Sequence, residues 1–153
     1  MKFNKFLKEV GTHGAVVEIN ESEKWLVCGG VGMIIPKGVD NLLGSKNNED
    51  YTHLVKSLRN EELNDKLELD RAVLQDPQGN AKSIYRVFES EFGESVGIIN
   101  SDYGLLEKSD ALGYTEVIVS GKDNEPDSIV KYMLVFNEYD KKLQGFIQGS
   151  RDF

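Results

Sequence analysis

With 153 residues, 39% of them apolar and 29% charged, the chain carries enough apolar material to bury about 70% of its unfolded surface as one domain, with no need of a metal or disulfide. No apolar run approaches the roughly 18 residues of a membrane-crossing helix, and a lone cysteine, Cys28, excludes an internal disulfide. The net charge of −8 is uneven: residues 1–60 hold 8 basic and 7 acidic side chains and residues 61–153 hold 10 and 19, so the later part of the chain should repel nucleic acid.

The N-terminus, Met1 to Lys8, is basic but has no apolar core behind it, so no signal peptide is read. With the lone cysteine, this predicts a reducing, cytoplasmic setting. Phe3, Phe6, Leu7 and Val10 fall at i, i+3, i+4 and i+7, one stripe of a short helix that Gly11 can stop. Ala15-Val16-Val17-Glu18-Ile19 is rich in β-branched residues and predicts a strand. The polar Asn20–Glu23 would turn it back as a hairpin.

The hairpin leads into the densest apolar stretch, Trp25 to Gly38. Its clustered glycines resemble a nucleotide loop, but Gly30-Val31-Gly32 runs into Ile34-Ile35-Pro36-Lys37-Gly38. A phosphate cradle needs a helix opening just there, and this sequence cannot start one. The stretch is therefore read as one buried strand, with Trp25 or Leu26, and Val27, Val31, Met33 and Ile35, in the core and the glycines at a bulge or a close backbone approach.

Residues 39–48 have loop chemistry. Tyr51, Leu54, Val55 and Leu58 then predict a second helix, with Asn48 or Asp50 as N-cap and fraying near Asn60 to Asp65. Alternation from Leu67 to Leu74 predicts a strand ending at the turn Asp76-Pro77-Gln78-Gly79-Asn80. Ser83 to Phe92 fits helix or strand by spacing; strand is favoured, because Glu91–Glu94 suits a turn and Val96–Ile99 its return. Asp102–Leu106 reads as a turn or bulged strand, and Ser109–Gly113 as a loop or one helical turn. Tyr114–Val119, Ile129–Phe136 and Leu143–Gln148 read as strands, the last two joined by a hairpin over Asn137–Lys142. Helices and strands do not alternate, so the expected class is α+β: a mainly antiparallel sheet of about seven strands with two short helices, in a single domain over 1–153.

Catalytic patterns are missing. Cys28 lies mid-run between Val27 and Gly29, a place for a small buried hydrophobe rather than a nucleophile. His13 and His53 form no zinc-binding spacing, no serine sits in a Gly-x-Ser-x-Gly elbow, and no cofactor or metal is expected. Asp123-Asn124-Glu125-Pro126-Asp127 lacks the central glycine and last glutamate of a calcium loop and reads as an acidic surface loop. In Tyr85-Arg86-Val87-Phe88 the rings read as core, because Glu89, Glu91 and Glu94 surround them.

In size, acidity and lack of catalytic motifs the whole chain resembles small accessory proteins of phages and prophages of Gram-positive bacteria. The resemblance is one of type rather than motif. Some proteins of that group antagonise host defence nucleases, and acidic ones can occupy a nucleic-acid channel. The expectation is a non-enzymatic interaction protein that binds a basic surface on a nucleic-acid-handling protein, without touching nucleic acid or membrane. Glu89, Glu91 and Glu94 on one hairpin, with Asp123, Glu125 and Asp127 on a loop, are the expected contacts. The alternatives are a homo-oligomeric assembly protein using a free sheet edge, and a small-ligand binder with a pocket near the glycine-rich stretch.

Overall fold

The computed structural model describes residues 1–39, 49–75, 83–151 and 153. In chain order the elements are α1 (Phe3–Val10), β1 (Ala15–Asn20), β2 (Glu23–Cys28), β3 (Val31–Ile34), α2 (Glu49–Leu58), β4 (Leu67–Gln75), β5 (Ser83–Ser90), β6 (Ser95–Ile99), α3 (Asn100–Tyr103), β7 (Ala111–Val119), β8 (Ser128–Phe136) and β9 (Leu143–Gln148). Every strand pair is antiparallel. The strands form a six-stranded sheet, β1-β2-β3-β9-β8-β7, and a three-stranded sheet, β4-β5-β6. The class is α+β as the patterning predicts, with the strands divided between two sheets and one helix more than expected.

The larger sheet is covered on both faces. One face sends Val17, Trp25, Val27, Leu134, Phe136 and Phe146 against Val55 and Leu58 of α2. The other sends Leu26, Met33, Met133, Val135 and Ile147 against α1 (Phe6, Val10) and against Phe88, Val96 and Ile98 of the smaller sheet. Along β8 consecutive residues alternate between these two cores, and Tyr132 to Phe136 are all buried. A strand covered on both sides loses its polar alternation and reads as a continuous apolar run.

That explains a strand assignment that needs correction. Trp25 to Gly38 holds two strands, not one. Gly29 and Gly30 form the tight turn between β2 and β3, with Gly29 at φ 59. A positive φ at the first central residue is the hairpin condition that glycine meets without steric cost. The burial expectation holds: Trp25, Leu26, Val27, Val31, Met33 and Ile35 are all buried, and β3 continues where a phosphate-binding helix would open. Gly32 faces Phe146 across the ladder, and a Cβ there would lie 2.3 Å from the Phe146 ring.

The remaining elements follow local chemistry. Gly11 closes α1 with its N–H on Leu7 O. Asn20 turns β1 into β2 by accepting the N–H groups of Ser22 and Glu23 on Oδ1. α2 begins at Glu49, so Asp50 lies inside the helix, and Asn48 and the turn at 76–80 fall outside the described residues. Ser83–Ser90 is a strand and pairs with its return, β6. Asn100–Tyr103 is one helical turn instead of a turn or bulged strand, and Ala111–Gly113 belongs to β7 rather than to a loop.

Two polar ties hold the layers. Arg59, just beyond α2, grips Glu23 at the start of β2 with Nε at 2.8 Å and Nη2 at 2.9 Å, and the same carboxylate takes the Trp25 indole N–H at 3.0 Å. The Met1 ammonium donates to Asp110 at 3.0 Å and to Gln144 at 3.2 Å, its pair with Asp110 almost fully shielded from solvent. No helix among the described residues is long and apolar enough to cross a membrane.

Candidate functional site

Two neighbouring surfaces around the three-stranded sheet carry the notable chemistry. The first is acidic. The β4–β5 register sets Glu68 directly opposite Glu89, two like charges side by side, an arrangement that costs stability. Asp70 and Glu91 join them around a groove of about 300 Å³ with Leu69 in its lining and Lys66 as the one cation among the described residues that line it. Arg71 pairs with Asp70 and reaches Glu89 at 3.7 Å.

Beside the groove stands the β5–β6 turn. Ser90 builds it by accepting the Phe92 and Glu94 N–H groups on Oγ, and Gly93 at φ 89 completes it. Phe92 is thereby held 77% exposed between Glu91 and Glu94. A large aromatic on a rigid turn is a low-entropy anchor for a protein interface.

The structure groups the expected contact residues differently from the sequence. Glu89 and Glu91 lie at the acidic groove. Glu94 is half-buried, with Lys131 Nζ at 3.6 Å. Asp123, Glu125 and Asp127 sit in the loop between β7 and β8, on the other sheet, and among the described residues no hydrogen bond or ion pair joins them to the glutamates. Asp127 is engaged within that loop, accepting the Gly121 N–H at 3.1 Å. Asp123 and Asn124 adopt positive φ, 50 and 70, which short polar side chains tolerate. Glu68 and Asp70 join this acidic group although the sequence reading did not include them, because only strand pairing brings them to Glu89.

The second surface is basic, unlike the protein as a whole. Arg71 of β4, Lys131 of β8 and Arg151 of the tail after β9 converge on a cleft of about 700 Å³ whose described side chains include no carboxylate, although Phe153, the last residue of the sequence, brings its terminal carboxyl group to it. Lys131 Nζ is held at 3.1 Å from Ser95 O and 3.3 Å from Phe153 O. The tail is itself anchored: Ser150 N–H donates to Gly97 O, and the Phe153 ring lies over Gly97 and against Tyr85. Nothing in the charge balance of residues 61–153 signals this cleft, since its cations lie far apart in the chain.

On β7, Tyr114 donates a hydrogen bond to Glu116, which pairs with Lys131 across the ladder. Burial, the bond to Glu116 and the charges of Glu116, Glu94 and Asp65 push the Tyr114 hydroxyl well above the usual tyrosine range. It stays protonated at neutral pH and cannot act as a base there.

The sequence candidates for chemistry fall elsewhere. Cys28 is half-buried rather than fully buried, because it ends β2 beside the turn. Its Sγ lies 4.0 Å from the His13 carbonyl oxygen. Val87 and Phe88 are core residues, while Arg86 bonds Asn100 and stacks over Tyr103. Near the glycine-rich hairpin lie two shallow hollows of about 270 and 250 Å³, and Gly32 is filled by Phe146. Among the described residues no group of three or more His, Cys, Asp or Glu is arranged to hold a metal ion. Comparison with protein-family models, curated proteins and solved structures returned no match.

Proposed function

We propose that this chain is a non-enzymatic interaction protein whose acidic β4–β5–β6 face docks on the basic surface of a nucleic-acid-handling protein and modulates or inhibits it. The observation that carries the reading is Phe92, exposed on a fixed turn between Glu91 and Glu94 and flanked by the Glu68–Glu89 groove. An aromatic anchor supplies affinity, and a carboxylate rim supplies steering towards a basic partner and rejection of nucleic acid. Asp123 and Glu125 on the β7–β8 loop form a second, weaker contact.

Affinity capture from a nuclease-treated extract of Gram-positive bacteria tests this. Wild-type protein should retain a basic nucleic-acid-handling protein at low salt. The triple variant Glu68→Lys, Glu89→Lys, Glu91→Lys should lose it, and Asp123→Lys with Glu125→Lys should weaken it less. Identical capture by wild type and triple variant contradicts the proposal.

A specific observation favours a second reading, self-association. Ile118 and Ile129 are cross-strand partners at the outer end of β7 and β8, 69% and 62% exposed, and β7 is an edge strand. Exposed apolar edges are templates for pairing. Light scattering across micromolar concentrations separates the readings: a constant monomer mass removes assembly.

A further inference from the structure

We propose that the basic cleft between β8, the tail after β9 and the three-stranded sheet binds a small phosphate ester of the nucleotide class. The cleft, at about 700 Å³, has the size of small-molecule sites, which run to roughly 300–1,000 Å³. Its three cations come from three separate elements, so the fold brings them together. Two are guanidinium groups, whose planar forks match phosphate oxygens. The third, the Lys131 ammonium, is fixed by the Ser95 carbonyl oxygen and by an oxygen of the terminal residue Phe153, which competes for it as Glu94 does. Arg151 makes no hydrogen bond or ion pair with any described residue. Ser128 and Gln148 add neutral polar groups, and Ile129, 62% exposed in the lining, offers an apolar wall that a flat ligand group would cover.

The protein's net negative charge does not forbid this. Screening at physiological salt acts over about 8 Å, so a ligand inside the cleft responds to the three local cations and the carboxylates paired with them rather than to the net charge of the whole protein. Their present counter-ions compete with it: Asp70 and Glu89 hold Arg71, and Glu94 stands 3.6 Å from Lys131. These pairs are partly exposed and hold weakly, so a phosphate dianion displaces them. Removing one of those carboxylates should therefore tighten the ligand, an effect that a merely structural cleft would not produce.

Nuclear magnetic resonance titration of the full chain with adenosine monophosphate, inorganic phosphate and adenosine, at constant ionic strength, tests the assignment. Saturable shifts are expected for amides in 128–131 and 149–151 with adenosine monophosphate, with weaker binding of the other two. Arg151→Ala, an exposed change that leaves the fold intact, should weaken the nucleotide by about tenfold, Arg71→Gln should also weaken it, and Glu94→Gln should tighten it. The proposal is overturned by absence of saturable shifts up to about 10 mM. It is equally overturned by unchanged affinity in both arginine variants, or by phosphate alone binding as tightly as the nucleotide.

Discussion

Gly32 bears directly on the core under α2, because its missing side chain makes room for the Phe146 ring. Gly32→Ala puts a methyl group into a packed aromatic, and overpacking of this kind costs about 1–3 kcal/mol. Urea unfolding should show that loss, and a neutral result would mean the ring can move aside. Glu23 makes a different test. The hydrogen bonds from Arg59 hold its carboxyl below the usual glutamate range, outweighing the opposing effect of burial. A folded pKa below the unfolded one stabilises the protein above the unfolded value, about 4.3, and the benefit fades as pH falls through the folded value. Glu23→Gln should therefore cost about 1 kcal/mol near neutral pH, and the difference from wild type should shrink in thermal melts under more acidic conditions.

At the scale of elements, the sequence signals were strong where one local rule sufficed. The β1–β2 hairpin was legible from Asn20, the β8–β9 hairpin from Asn137–Lys142, and α1 from its apolar stripe and Gly11. The Gly29–Gly30 turn was hidden because β2 and β3 contribute to cores on both faces and carry no polar alternation to mark their ends. α3 was too short for a period to be seen. The β5–β6 turn was legible, and it yields a prediction that separates stability from function. Phe92 touches little of the core, so Phe92→Ala should alter stability by no more than about 0.5 kcal/mol. In a binding assay the same change should weaken the captured partner by more than about tenfold. A variant that unfolds would instead make Phe92 a structural residue. On the β7–β8 edge, Ile118→Lys with Ile129→Lys should leave a monomer's mass unchanged in light scattering, and would split any oligomer built on that edge.

Across the whole molecule, the charge count was legible but its arrangement was not. The excess of acid in residues 61–153 contains both an acidic groove and a cleft lined by Arg71, Lys131 and Arg151. Sequence spacing links Glu89, Glu91 and Glu94 because they are neighbours in the chain. Strand pairing adds Glu68 and Asp70 and leaves the acidic loop of residues 120–127 on the other sheet. Such groupings depend on register and on which strands adjoin, and a single sequence does not state either. Under the proposed function, the acidic groove would compete for a nucleic-acid-binding surface by setting carboxylates in the place of phosphates, with Phe92 supplying contact area.

The most direct measurement is hydrogen–deuterium exchange of the chain alone and in complex with the protein recovered by affinity capture. Protection is expected over 67–71 and 88–95, fading as salt is raised. Protection confined to other segments, or recovery of nucleic acid as the bound species, would contradict the acidic-face reading.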